Sequence, residues 1–243
     1  MGKLYVGNSG STPAIIKVEE VPKVKFGSSV DAFFGDAIDG VLQKPTTPTA
    51  LNFTGVTEFA NSALRYKFWG QDNITSIDFG TVKKIGMFGL EYAFTGNKNI
   101  TDINLSSIET IDQSGMKYAF QTCTGLTSVN FSALQTVDQY GLNATFQDCI
   151  NIETAYFSSL HTLANYALSE AFDRCVKLKS ASFPSLVNVD TYSFAEYSFY
   201  MPFASCNAMT EIHFRADMQA TIEACTGYTN KFGATNATIY FDL

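Results

Sequence analysis

The chain has 243 residues, 46% hydrophobic and only 16% charged, so a large core is expected under a polar face of Ser, Thr and Asn, soluble chains usually carrying ~25% charge. Sixteen Lys and Arg are scattered among 23 Asp and Glu, for a net charge of −7. That argues against nucleic acid and anionic membrane surfaces, which need clustered positive charge. No run of ~20 apolar residues is present, so no membrane insertion is expected.

The opening residues, Met1 to Val6, lack the long apolar stretch of a secretory leader. Either the chain is not exported by that route or a leader has been removed. Three β-rich pieces follow: Lys3-Leu-Tyr-Val-Gly7, Ala14-Ile-Ile-Lys-Val-Glu-Glu20 and Lys23-Val-Lys-Phe26. Val30, Phe34, Ala37 and Val41 then share one helical face, with Ser28 and Ser29 placed to cap it, although Gly35 and Gly40 weaken that helix. Residues 43–50, rich in Pro and Thr, read as a joint.

From residue 51 the chain repeats itself. Phe53, Phe79, Leu105, Phe131, Phe157 and Phe183 are spaced by 26 residues. Val56, Val82, Ile108, Leu134, Leu160 and Leu186 keep the same period, as do Phe59, Ile85, Ile111, Val137, Leu163 and Val189. Phe68, Phe94, Phe120, Phe146 and Phe172 form another column, beside Cys123, Cys149 and Cys175. Period-two alternation in Leu126-Thr-Ser-Val129-Asn-Phe131 predicts a short strand with one face inward. The expected fold is therefore a β-rich solenoid with one parallel strand per 26-residue coil, capped at both ends by α+β segments. A lone coil buries too little apolar surface to offset the ordering of its backbone, so stability must come from contacts between coils.

Tyr118-Ala-Phe-Gln-Thr-Cys123-Thr-Gly-Leu126 and Ala171-Phe-Asp-Arg-Cys175-Val-Lys-Leu178 resemble the A-F-x-x-C-x-x-L signature of BspA-like, or Treponema-type, leucine-rich repeats. The resemblance covers about residues 51–214. It departs from the family in the longer coil and in the single Pro184 after a strand. It implies a leucine-rich-repeat solenoid and a bacterial surface protein that binds host or matrix proteins or takes part in co-aggregation. The first residues are also similar to short N-terminal segments of phage tail and other appendage proteins, which carries the alternative of a structural or receptor-binding part of such an appendage on a virion.

One coil is irregular. Phe183 to Phe214 spans 31 residues, five more than the rule, and the extra residues fall within Phe194-Ala-Glu-Tyr-Ser-Phe-Tyr-Met-Pro-Phe203. Insertions in repeats emerge as loops, often on a binding face, and Tyr is a common interface anchor. Tyr197 and Tyr200 are therefore candidate contact residues. Beyond it, Ala216 to Cys225 reads as a short helix carrying Met218, Ile222 and Cys225 on one face, and Ala237 to Phe241 as a closing strand. The expected divisions are 1–50 (N-terminal strands, capping helix and joint), 51–214 (solenoid) and 215–243 (C-terminal cap).

The chemistry-bearing residues follow the repeat. Cys123, Cys149, Cys175 and Cys206 share a column and lack the close pairs of a structural zinc site. They read as small buried hydrophobes. His161 and His213 occupy ordinary repeat slots, Glu19 and Glu20 read as solvated charge, and no phosphate-binding loop appears. No catalytic residue, metal site or cofactor is expected, and the chain is read as not an enzyme. The polar strand column Asp78, Asn104, Asn130, Tyr156, Ser182 and His213 is a candidate surface for a protein or glycan ligand. Tyr66, Tyr92 and Tyr118 form one aromatic column and Phe88, Tyr140, Tyr166 and Tyr192 another. Either column serves to stack coils or to grip a ligand. A non-catalytic adhesion protein, extracellular or at the cell surface, is the expected whole.

Overall fold

A period that sets like residue over like requires each coil to lie directly on the one before, its backbone bonding along the stack. The structure, a computed structural model, describes residues 3–7, 14–19, 25–26, 49–53, 55–194 and 201–243. Within them the coil has three sides, and each side pairs with its counterpart in the next coil.

The first side carries the longer strands: Thr49–Asn52, Ile74–Asp78, Asp102–Asn104, Ser128–Asn130, Thr154–Tyr156, Ser180–Phe183, Glu211–Phe214 and Thr238–Phe241. They run parallel in hydrogen-bonded sections, with Ile77 over Ile103, Val129 over Ala155 and Ala181 over Ile212. The sequence columns are thus the physical columns of the stack. The second side carries a strand of only two residues per coil: Glu58–Phe59, Lys84–Ile85, Thr110–Ile111, Thr136–Val137, Thr162–Leu163 and Asn188–Val189. With Lys25–Phe26 these make a seven-stranded ladder. The expected single strand per coil is joined by this second, shorter one.

The third side is neither helix nor strand. Odd-numbered amides close local turns, as in Ala63 N to Ala60 O (3.1 Å), Arg65 N to Ser62 O (3.3 Å) and Lys67 N to Leu64 O (3.1 Å). Even-numbered amides reach the next coil: Leu64 N to Gly89 O (2.7 Å), Tyr66 N to Glu91 O (3.0 Å), Phe68 N to Ala93 O (2.9 Å). Every amide from 62 to 68 therefore has an acceptor, which a buried backbone requires. The ribbon is held in this form by a residue of positive φ at every fourth position, for example Ser114 (54°), Tyr118 (55°) and Thr122 (59°), then Tyr140 (58°), Ala144 (50°) and Asp148 (62°). Each non-glycine residue there costs about 1–2 kcal/mol, a cost that bonding between coils offsets.

Inside, the columns stack. Phe68, Phe94, Phe120, Phe146 and Phe172 lie ring over ring at 5.2, 5.2, 5.7 and 5.4 Å, and Phe203 continues the stack at 6.0 Å. A second stack runs Phe131, Phe157, Phe183 and Phe214 at 5.5, 5.5 and 5.3 Å, and edge-to-face contacts join the two, as between Phe157 and Phe172 (6.1 Å).

At the N-terminal end all three expected β pieces contain strands: Lys3–Gly7, Ala14–Glu19 and Lys25–Phe26. The first two pair antiparallel, and Ala14–Glu19 then runs parallel to Thr49–Asn52. The helix expected from Val30 to Val41 lies outside the described residues, as do 43–48 of the expected joint. Thr49 and Ala50, assigned to that joint, instead begin a strand, because their amides extend the coil ladder. At the C-terminal end the expected helix forms as a 3-10 turn, Ala216–Met218, and an α-helix, Gln219–Glu223. Met218, Ile222 and Cys225 are buried. Phe232 covers the last coil against Phe194 (4.6 Å) and Phe214 (6.1 Å), and the closing strand Thr238–Phe241 pairs with Glu211–Phe214.

Phe120 touches Phe94, Phe146 and Phe79. Phe120→Ala is expected to lower stability by about 3–5 kcal/mol in urea denaturation. In the opposite sense, Thr122 is a β-branched residue at a φ of 59°, in a column that holds Gly70 and Gly96 at 63° and 81°. Thr122→Gly should raise the denaturation midpoint, by about 0.5–1 kcal/mol of stability.

Candidate functional site

The strand-face candidates are bound into the coil to different degrees. Asp78 Oδ1 accepts the Gly80 amide (2.8 Å) and Asn104 Nδ2 (2.8 Å). Asn104 Oδ1 accepts the Ser106 amide (3.2 Å) and hydroxyl (2.7 Å), and Asn130 Oδ1 accepts the Ser132 amide (2.9 Å). These are turns in which a short polar side chain satisfies the backbone two residues on, and they close the strand in three successive coils. Tyr156 stands over Asn130 in register and leaves 56% of its surface exposed. The structure thus brings Asp78 and Asn104 into contact and puts Tyr156 next to Asn130. Tyr197 and Tyr200 lie outside the described residues.

His213 is further along the same face. Its Nδ1 is 2.9 Å from Asp242 Oδ1, its Nε2 3.4 Å from Glu211 Oε2, and its ring lies on Tyr240 at 4.8 Å. Partial burial opposes its charge, but the hydrogen bonds and the fields of Asp242 and Glu211 outweigh that and raise its pKa above the usual 6.5. The imidazole therefore ties the last residues of the chain to the preceding strand.

The cysteine column has a clear role. Cys123, Cys149, Cys175 and Cys206 are free and buried. Each Sγ donates to a phenylalanine carbonyl of the coil before: Phe94 O (3.2 Å), Phe120 O, Phe146 O and Phe172 O (each 3.1 Å). Burial drives all four thiols up, Cys206 to about 12, so they stay protonated and able to donate. In the coil before Cys123 the same slot holds Asn97, whose Nδ2 donates to Phe68 O and Phe94 O at 2.7 Å each. The small-hydrophobe reading therefore lacked one element: the S–H group closes a backbone carbonyl that the turn leaves open. Among the described residues no group of three or more His, Cys, Asp or Glu side chains is placed to hold a metal ion.

The turn side carries the exposed chemistry. Tyr66, Tyr92 and Tyr118 stack at 4.9 and 4.6 Å, within 14° of parallel. Tyr140, Tyr166 and Tyr192 stack in the neighbouring column at 5.0 and 5.9 Å. Between the two columns runs a line of charge. Arg65 lies 5.2 Å from the ring centres of both Tyr66 and Phe88, and Lys117 5.5 Å from those of both Tyr118 and Tyr140. Glu91, between them, is buried and meets Arg65 at 2.5 Å. Its Oε2 has no aligned hydrogen bond, so this contact is chiefly Coulombic. Burial, then the neighbouring phenols and Glu91, push the Tyr92 hydroxyl up to about 12, which keeps it a donor.

Trp69 stands at one end of this surface with 57% of its area exposed, beside Tyr66 at 44%. Its ring centre is 6.0 Å from Tyr66 and 6.3 Å from Tyr92, tilted by 41° and 36°. Its slot in later coils holds Thr95, Gln121, Gln147 and Asp173. There the polar side chains bond along the stack, Gln121 Nε2 to Gln147 Oε1 at 2.6 Å and Gln147 Nε2 to Asp173 Oδ2 at 3.0 Å. Sequence reasoning marked the tyrosine columns but passed over Trp69, Arg65 and Lys117. The available signal was that a lone tryptophan broke an otherwise polar column.

A family model described as a BspA type leucine rich repeat region matches residues 61–200 and 168–229, in six copies. Among solved structures, a leucine rich repeat protein of T. pallidum is 13% identical, with 88% of this chain and 70% of that one covered and a TM-score of 0.37. A leucine-rich repeat protein from Bacteroides ovatus is 14% identical (87% and 69% covered, TM-score 0.22). A leucine rich cell surface protein from Faecalibacterium prausnitzii is 11% identical (98% and 94% covered, TM-score 0.29). No curated protein matches the chain.

The His213 pairing gives a pH dependence of definite sign. A folded pKa raised above the unfolded value adds stability that is fully present below about 6.5. It is lost as pH rises through the elevated value. Hydrogen exchange of the Ile239 to Phe241 amides, corrected for intrinsic rates, should therefore show less protection at pH 8 than at pH 6. Asp242→Asn should flatten the difference.

Proposed function

Because the chain belongs to the BspA-type leucine-rich-repeat family, we propose that it is a non-catalytic binding module displayed at the cell surface, which recognises its ligand through the turn side of the solenoid. The observation that carries this reading is the division of labour between faces. On the strand side, Asp78, Asn104 and Asn130 bond into turns, His213 holds the C-terminal residues, and Tyr156 is the one exposed aromatic ring of the candidate column. On the turn side, Trp69, Tyr66 and Tyr192 leave about half their surface open.

Rigid aromatic rings on a backbone bonded from coil to coil lose little freedom when a ligand binds, which favours a pre-formed site. The coils beneath supply that rigidity, and the ligand-facing residues differ from coil to coil while the core columns do not. A surface location is in keeping with the family. Among the described residues no helix is long and apolar enough to cross a membrane.

The test is a screen of the purified protein against immobilised extracellular-matrix proteins and glycans. Saturable binding to one of the two classes is expected, retained in Tyr156→Ala and lost when Tyr66 and Tyr192 are both replaced by Ala. Silence on both arrays would overturn the reading, and binding that depends on Tyr156 would move the site to the strand side.

A further inference from the structure

We infer that the shelf formed by Trp69, Tyr66 and Tyr92 is a carbohydrate-binding site, and that its ligand is an uncharged glycan chain. The inference rests on the turn-side reading above and names the ligand class for one end of that face.

Three observations point to a sugar. The first is shape. Trp69 presents a protruding, 57% exposed ring, set at 41° and 36° to the phenol rings beside it. An aromatic face of this kind matches the C–H face of a pyranose, and a twisted set of rings suits a chain whose successive sugars present rotated faces. The second is size. Trp69 and Tyr66 each offer about half of the ~150–250 Å² that an aromatic residue can bury. That is far below the ~800 Å² per partner of a stable interface between folded proteins, but it is adequate for two or three sugar rings. The third is charge. Arg65, which lies over the Tyr66 ring, is 2.5 Å from Glu91, and the chain as a whole carries −7. A sulfated or otherwise anionic polymer finds no field to draw it in, whereas the guanidinium edge still offers N–H groups to sugar hydroxyls.

The shelf is also held still. Tyr66 and Tyr92 donate backbone N–H groups to Glu91 O and Lys117 O at 3.0 Å each, and the Gly70 amide after Trp69 donates to Thr95 O at 2.8 Å. Phe68, on the other side of Trp69, is locked in the core stack. Trp69 itself has no such structural duty, since polar residues occupy its slot in later coils.

Trp69 is the single tryptophan of the chain, so its fluorescence reports this site alone. The experiment titrates the whole protein with neutral hexasaccharides of glucose, xylose, mannose and N-acetylglucosamine, and with heparin hexasaccharide as the anionic arm. A saturable change in tryptophan emission with at least one neutral chain is expected, with no change for heparin. Affinity for that chain, measured by calorimetry, should fall at least about tenfold in Trp69→Ala and less in Trp69→Phe, with the melting temperature unchanged in both. Three results would overturn the inference: no response to any of the four neutral chains, glycan binding that survives Trp69→Ala, or stronger binding of heparin. If a matrix protein binds in the screen above and loses affinity in Trp69→Ala while all four glycans stay silent, the turn-side reading stands and the glycan assignment fails.

Discussion

Every feature of this molecule depends on one constraint, the hydrogen-bonded register of each coil on the next. Parallel pairing along two strand ladders and the turn ribbon means that residue n bonds near residue n + 26, and a slip of one position would turn core residues outward. The irregular coil shows how strictly the register is kept. After the five added residues, Phe172 N donates to Pro202 O and Arg174 N to Ala204 O, both at 2.8 Å, and Cys206 Sγ reaches Phe172 O at 3.1 Å. The insertion is absorbed entirely between Phe194 and Pro202, and the columns resume as though it were absent.

The same register accounts for the backbone strain. A left-handed residue at every fourth position would destabilise an isolated chain, since tyrosine, threonine and glutamate gain nothing there locally. In the stack the amide of such a residue points along the solenoid axis to a waiting carbonyl, as Tyr118 N does to Asn143 O and Ala144 N to Ser169 O. The gain is shared between neighbouring coils, so it exists only when coils are already adjacent. This is the physical basis of nearest-neighbour stability in repeat proteins, and it explains why buried thiols and amides in this chain serve carbonyls one coil away.

The core was almost wholly legible in the sequence. Burial selects residue type directly, and stacking copies that selection every 26 residues: Phe94, Leu126 and Val137 could be placed before any coordinate. The second strand was not legible, because a pair such as Thr136–Val137 is too short to show alternation. Nor was the turn ribbon, because Ser114, Tyr118 and Glu170 are not the glycine or asparagine that usually mark positive φ. The candidate site was legible in part. The tyrosine columns stood out by period, yet period does not say whether a ring is covered. Asp78 and Asn104 looked like an open polar surface because a sequence column does not show that a side chain bonds to its own backbone two residues on. Trp69 was visible only as an exception, and reading by columns discounts exceptions.

That exception bears on where function resides in a repeat. The Tyr66, Tyr92 and Tyr118 column passes to Ala144 and Glu170 in the next two coils, and the adjacent column, which alternates as Ser62, Phe88 and Ser114, is continuously aromatic from Tyr140 to Tyr192. The coil therefore folds with or without an aromatic ring at either position. What the fold requires is the left-handed backbone, which Ala144 and Glu170 supply as well as tyrosine does. The aromatic stripe is handed from one column to the other where Lys117 lies over both Tyr118 and Tyr140. A feature that the scaffold does not need, yet that stays continuous across a change of column, is better explained by contact with something outside the solenoid than by the packing of the coils themselves.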